Sequence, residues 1–65
     1  MKIRINGNER EFKGSTVMDL FEVAGYDPKR SAVEINGSVV RRSDYGEHTV
    51  NEGDVVEIVS LVGGG

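Results

Sequence analysis

One helical stripe interrupts a chain that otherwise alternates. Within "STVMDLFEVAG", Val17, Leu20, Phe21 and Ala24 fall at i, i+3, i+4 and i+7, which lines one side of an α-helix with apolar groups. Thr16 and Asp19 have the spacing of a capping box, Gly25 stands where a left-handed cap ends a helix, and Asp27-Pro28 stops any continuation. On both sides of the stripe the period is 2. "MKIRIN" puts Ile3 and Ile5 on one face and Lys2 and Arg4 on the other, and Asn6-Gly7-Asn8 then signals a hairpin into "EREF" with Phe12 inward. "SAVEIN" turns Val33 and Ile35 inward, Asn36-Gly37 reverses the chain into the short strand "SVVRR", and "DVVEIVSLV" is the longest strand. The segment "SDYGEHTVNEGD" between them is polar and irregular, with a turn over residues 51–54.

A β-β-α-β-β-β order with one helix leaves one economical packing. The helix stripe lies across one face of a mixed sheet, and the first and last strands pair in parallel with the helix inside the crossover. The expected class is α+β, a β-grasp arrangement with a four- to five-stranded sheet. Its core is Ile3, Ile5, Phe12, Val17, Leu20, Phe21, Val33, Ile35, Val56 and Ile58. Leu20→Ala then costs on the order of 2–5 kcal/mol. One helix covers one face only. In the last strand Val56 and Ile58 take the covered parity, which leaves Val55, Glu57, Val59 and Leu61 on the other. Val59 and Leu61, with Val62 leading onward, are the candidate partner-docking residues.

Length and composition remove most other chemistry. A chain of 65 residues is one domain, and at this size only about 60% of the unfolded surface is buried, so a core and an internal pocket compete for the same side chains. There is no cysteine, which excludes disulfides, thiolate metal sites and cysteine nucleophiles. The net charge is −3 with both signs interleaved, unlike the basic patches that track phosphates. No apolar run approaches the ~20 residues needed to span a bilayer, and "MKIRINGNER" lacks the apolar region of a signal peptide. A cytoplasmic protein is expected.

The division expected is a folded domain over 1–62 and a tail over 63–65. Three glycines after an apolar strand pack nothing and resist ordering. They are not a phosphate loop, since no lysine and no helix N-terminus follows. Without Cβ atoms they suit a narrow channel, and three residues give roughly 10 Å of reach. An α-carboxylate on Gly65 is a poor electrophile that adenylation would activate, with the nucleotide site on a partner.

With "STVMDL", "EINGSVVRRSDY", "NEGDVVEIVSLV" and the final glycines in this order, the chain resembles the ThiS family, ubiquitin-like β-grasp sulfur carriers of thiamin biosynthesis, over essentially its whole length. The resemblance implies that a ThiF-type enzyme uses ATP to adenylate Gly65, that a sulfur-donor protein makes it a thiocarboxylate, and that thiazole synthase takes the sulfur. Gly63 and Gly64 would thread the tail into the partner's site. It implies no cofactor of the chain's own and no enzymatic activity. The alternatives are a molybdopterin-synthase small subunit and a ubiquitin-like modifier that forms an isopeptide bond.

The remaining polar residues have plainer readings. His48 has no neighbouring nucleophile and belongs to a surface loop. Asp19 and Glu22 share a solvated helix face. Asn36-Gly37-Ser38 fits a glycosylation pattern but reads as a turn. Arg41 and Arg42 either assist docking or keep a strand end soluble. No metal set and no catalytic constellation emerges.

Overall fold

A computed structural model describes residues 1–61. Its strands are β1 (Lys2–Ile5), β2 (Asn8–Glu11), β3 (Ser31–Ile35), β4 (Ser38–Val39) and β5 (Val55–Ser60), with one helix, α1 (Val17–Ala24), between β2 and β3. Two short 3-10 turns, Pro28–Arg30 and Arg42–Asp44, lie in the connections. The strand order is β2-β1-β5-β3-β4. β1 and β5 run parallel, with Arg4 opposite Val55 and Ile5 opposite Val56. Every other pair is antiparallel. This is the expected mixed five-stranded sheet with its one helix. The first and last strands meet at its centre because the helix occupies the crossover that a parallel pair requires.

The core follows the two periods. Ile3 and Ile5 from β1, Val33 and Ile35 from β3, and Val56 and Ile58 from β5 meet Val17, Leu20 and Phe21 from α1, and all are buried. Phe12 is buried too, one residue beyond the end of β2. Gly14 admits this packing. A Cβ there would lie 2.7 Å from the Phe12 ring and 2.6 Å from the Asp19 Cβ, closer than atoms approach.

Three core members come from outside the expected set: Val40, Tyr45 and Val50. The segment after β4 is therefore irregular but not merely polar. Of "SVVRR", Ser38 and Val39 form β4 against β3; Val40 still donates its N–H to the Val33 carbonyl at 3.0 Å but turns its side chain into the core, and Arg41 leads into a 3-10 turn. Tyr45 packs against Phe21 with ring centroids 4.7 Å apart, and its hydroxyl donates to the Ser31 carbonyl at 3.3 Å. The segment also closes over the helix N-terminus. The N–H groups of Val17 and Met18 donate to the carbonyls of His48 and Tyr45. These donors have no partner inside the helix, so the loop supplies acceptors that the helix cannot.

The Asp19 half of the capping box is formed. Its Oδ2 accepts from the Ser15 N–H at 2.8 Å and from the Thr16 N–H at 3.0 Å. Those bonds hold the Asp19 carboxyl below its ordinary range, because they favour the charged form. Asp19 is thus the capping group that its spacing from Thr16 predicts, on a half-exposed position.

Candidate functional site

β5 is the element on which the site is built. It pairs with β3 from Val56 to Ser60 and with β1 at Val55 and Val56, and two turns grip it by their side chains. Asn6 and Asn36 each begin a two-residue hairpin, at φ 49 and 53, followed by Gly7 and Gly37 at φ 85 and 86. Positive φ at both central residues is the turn geometry that matches strand twist. The Asn6 side chain then continues the β1–β5 ladder past the point where β1 turns away. Its Oδ1 accepts from the Ile58 N–H at 2.8 Å, and its Nδ2 donates to the Ile58 carbonyl and the Tyr26 hydroxyl, each at 3.2 Å. From the other side, Asn36 Oδ1 accepts from the Val55 N–H at 2.9 Å, and Nδ2 donates to Asp54 Oδ1 at 3.0 Å. Asp54 is buried, and its second oxygen accepts from the Asn51 N–H at 2.8 Å.

At its far end β5 is held once more. The Leu61 N–H donates to the Arg30 carbonyl at 2.6 Å, so the chain leaves the sheet beside the Pro28–Arg30 turn. Of the residues singled out in the sequence, Val59 is 54% exposed and Leu61 57%. Val62, Gly63, Gly64 and Gly65 lie outside the described residues.

The face of the sheet away from α1 is uncovered, and the register says what stands on it. Val55, Glu57 and Val59 of β5 lie beside Ala32 and Glu34 of β3, with Val59 opposite Ala32 and Glu57 opposite Glu34. Val39 of β4 is opposite Glu34. On the β1 side, Arg4 is opposite both Val55 and Glu9. Val39 was not among the sequence candidates. Its signal was available: the Asn36-Gly37 turn fixes the β3–β4 register, and that register puts Val39 beside Glu34. Arg41 and Arg42 are exposed in the connection after β4, in and before a 3-10 turn, and neither forms an ion pair among the described residues. His48 contributes backbone bonds only, donating to Asp44 and accepting from Val17. No group of three metal-ligating side chains occurs among the described residues, and no helix there is long and apolar enough to cross a membrane.

Known proteins resemble the chain throughout. A protein-family model described as the ThiS family matches residues 3–65. The sulfur carrier protein ThiS of Thermus thermophilus is 33% identical over 61 residues, covering 94% of this chain and 95% of its own. A thiazole synthase of Paramagnetospirillum magneticum is 47% identical over 66 residues, covering all of this chain. The chain spans about a fifth of that relative's length, and the same fraction of a thiazole synthase from Magnetococcus marinus. Among solved structures, the crystal structure of thiamine biosynthesis protein ThiS from Geobacter metallireducens superposes with a TM-score of 0.82 at 32% identity, each chain covered completely.

Proposed function

The chain belongs to the ThiS family, and from that premise we propose that it is a sulfur carrier for thiamin biosynthesis whose Gly65 is the covalent acceptor. The observation that carries this reading is the family match itself, which continues beyond the folded strands through all three glycines to residue 65. The folded part fits the role. It presents β5 as a strand braced by β1, β3 and the Asn6 and Asn36 side chains, with one face of the sheet uncovered.

In this reading a Gly65 carboxylate oxygen attacks the α-phosphorus of ATP in a ThiF-type partner and pyrophosphate leaves. The terminal sulfur of a donor-protein persulfide then attacks the acyl carbon and AMP leaves, giving an acyl disulfide. A thiol attacks the donor-side sulfur of that S–S bond, which releases the thiocarboxylate and leaves the donor sulfur in a disulfide with the thiol. Thiazole synthase consumes the thiocarboxylate. The chain is modified rather than catalytic, needs no cofactor of its own, and works in the cytoplasm. Gly63 and Gly64 thread the partner's channel, while Val59, Leu61 and Val62 contribute to docking. The relatives named for thiazole and thiamin favour this outcome over the molybdopterin-synthase and protein-modifier alternatives.

Intact-mass spectrometry after incubation with the adenylating enzyme, ATP and a sulfur donor tests it. The expected result is an oxygen-to-sulfur mass gain that maps to the C-terminal peptide. Deleting Gly65 abolishes it with stability unchanged, and Gly64→Val nearly abolishes it by steric block. A Gly65 deletion that still delivers sulfur overturns the proposal.

A further inference from the structure

The exposed large apolar residues are not scattered. Of the seven among the described residues, four belong to the uncovered sheet side: Val39, Val55, Val59 and Leu61. Val39, Val55 and Val59 flank two facing carboxylates. Glu34 and Glu57 are directly opposite each other on β3 and β5, and like charges in that position are destabilising. Neither carboxylate has an ion-pair partner among the described residues. Arg4, diagonal to Glu57 through the β1–β5 register, forms none with it.

The other half of the sheet is treated differently. There Glu9 pairs with Lys2 at 3.6 Å, and Glu11 with the N-terminal ammonium at 2.8 Å. That ammonium holds the Glu11 carboxyl below its ordinary range. Acid on the β1–β2 side is thus compensated within the chain, while acid at the centre of the apolar side is not.

We propose that the β3–β4–β5 side of the uncovered face docks the adenylating partner enzyme, which inserts one cationic side chain, a guanidinium or an ammonium, between Glu34 and Glu57 with apolar groups seated around it on Val39, Val55 and Val59. The proposal rests on the carrier reading and adds the chemistry by which that partner is recognised. Burying the cation among apolar groups strengthens its attraction to both carboxylates and relieves their mutual repulsion. The same two charges that destabilise the free chain therefore stabilise the complex. A partner with a neutral or acidic side chain at that place would bury the pair uncompensated, so the arrangement also rejects wrong partners.

This linkage gives an unusual signature. Glu34→Gln, Glu57→Gln and the double variant are measured in two assays: urea unfolding of the free chain, and calorimetric titration with the ThiF-type adenylating enzyme at low and high salt. The variants are expected to be as stable as the parent or more so. They are also expected to bind about ten-fold more weakly, as for loss of a close interfacial charge pair, and to lose most of the salt dependence. Leu61→Glu, which leaves the carboxylate pair in place, weakens binding without removing that salt dependence. Unchanged affinity in the double variant, with the parent still binding and still gaining sulfur, overturns the charge proposal and leaves the carrier reading standing. A parent chain that neither binds nor gains sulfur overturns both.

Discussion

The turns at Asn6-Gly7 and Asn36-Gly37 share a sequence and a backbone conformation, and both reach into β5, but they grip it differently. Asn6 meets neutral groups only: the two backbone atoms of Ile58 and the Tyr26 hydroxyl. Asn36 meets one backbone N–H and the buried carboxylate of Asp54. The first turn extends a strand ladder. The second ties the start of β5 into a polar hub that also holds the Asn51 N–H. A turn signal in sequence therefore fixes the backbone but leaves open what the asparagine amide will hold, and that choice decides how much each turn contributes.

The variant that separates the two most is Asn36→Asp. It places a second carboxylate about where Nδ2 now lies 3.0 Å from Asp54 Oδ1, and two carboxylates so close raise the pKa of one of them. At neutral pH it is expected to lose about 2–4 kcal/mol in urea unfolding. The sign follows from the raised folded pKa. The loss vanishes below the unfolded value of about 4 and grows as pH rises from there toward the folded value. Asn6→Asp loses less, about 1–2 kcal/mol. Only one oxygen then opposes the Ile58 carbonyl, and the Tyr26 hydroxyl can turn to donate. Equal losses for the two aspartates would break the distinction.

Gly7→Ala and Gly37→Ala sharpen it from the backbone side. Both glycines have positive φ, and an added Cβ meets nothing within 4 Å at either. Each is expected to cost about 1–2 kcal/mol through conformation alone, and the two values should agree. A large difference would show that the turns, and not the amides, set the contrast. The smallest effect is Tyr26→Phe, which removes one neutral hydrogen bond from the Asn6 side, about 0.5–1 kcal/mol. In a double-mutant cycle it should couple to Asn6→Ala and be additive with Asn36→Ala.

What was legible divides along similar lines. All ten core residues expected from the alternation and the helix stripe are buried, because period and parity are local properties of a strand or helix. Val40, Tyr45 and Val50 escaped. They sit in a segment with no period, and Tyr45 is drawn inward by the Phe21 ring and the Ser31 carbonyl, partners that only the tertiary fold brings near. The same applies to the asparagine grips, since Asn6 and Ile58 are 52 residues apart. The exposed parity of Val59 and Leu61 could be read directly from one helix covering one face. The facing pair Glu34 and Glu57 could not, because it depends on the register between β3 and β5, and nothing in either strand alone specifies that register.

The central position of β5 has a mechanical consequence. In the proposed carrier role, an enzyme that draws the tail into a channel would pull on the end of β5. A strand at an edge could be peeled away one bond at a time. β5 is bonded to β1 on one side and β3 on the other, so a pull along it loads both ladders in shear. Their hydrogen bonds then share the load and must fail together. With the Asn6 and Asn36 grips adding anchor points along the same strand, tension applied there in the proposed role would be borne by the sheet as a whole, and the domain would be towed by its end without unravelling from it.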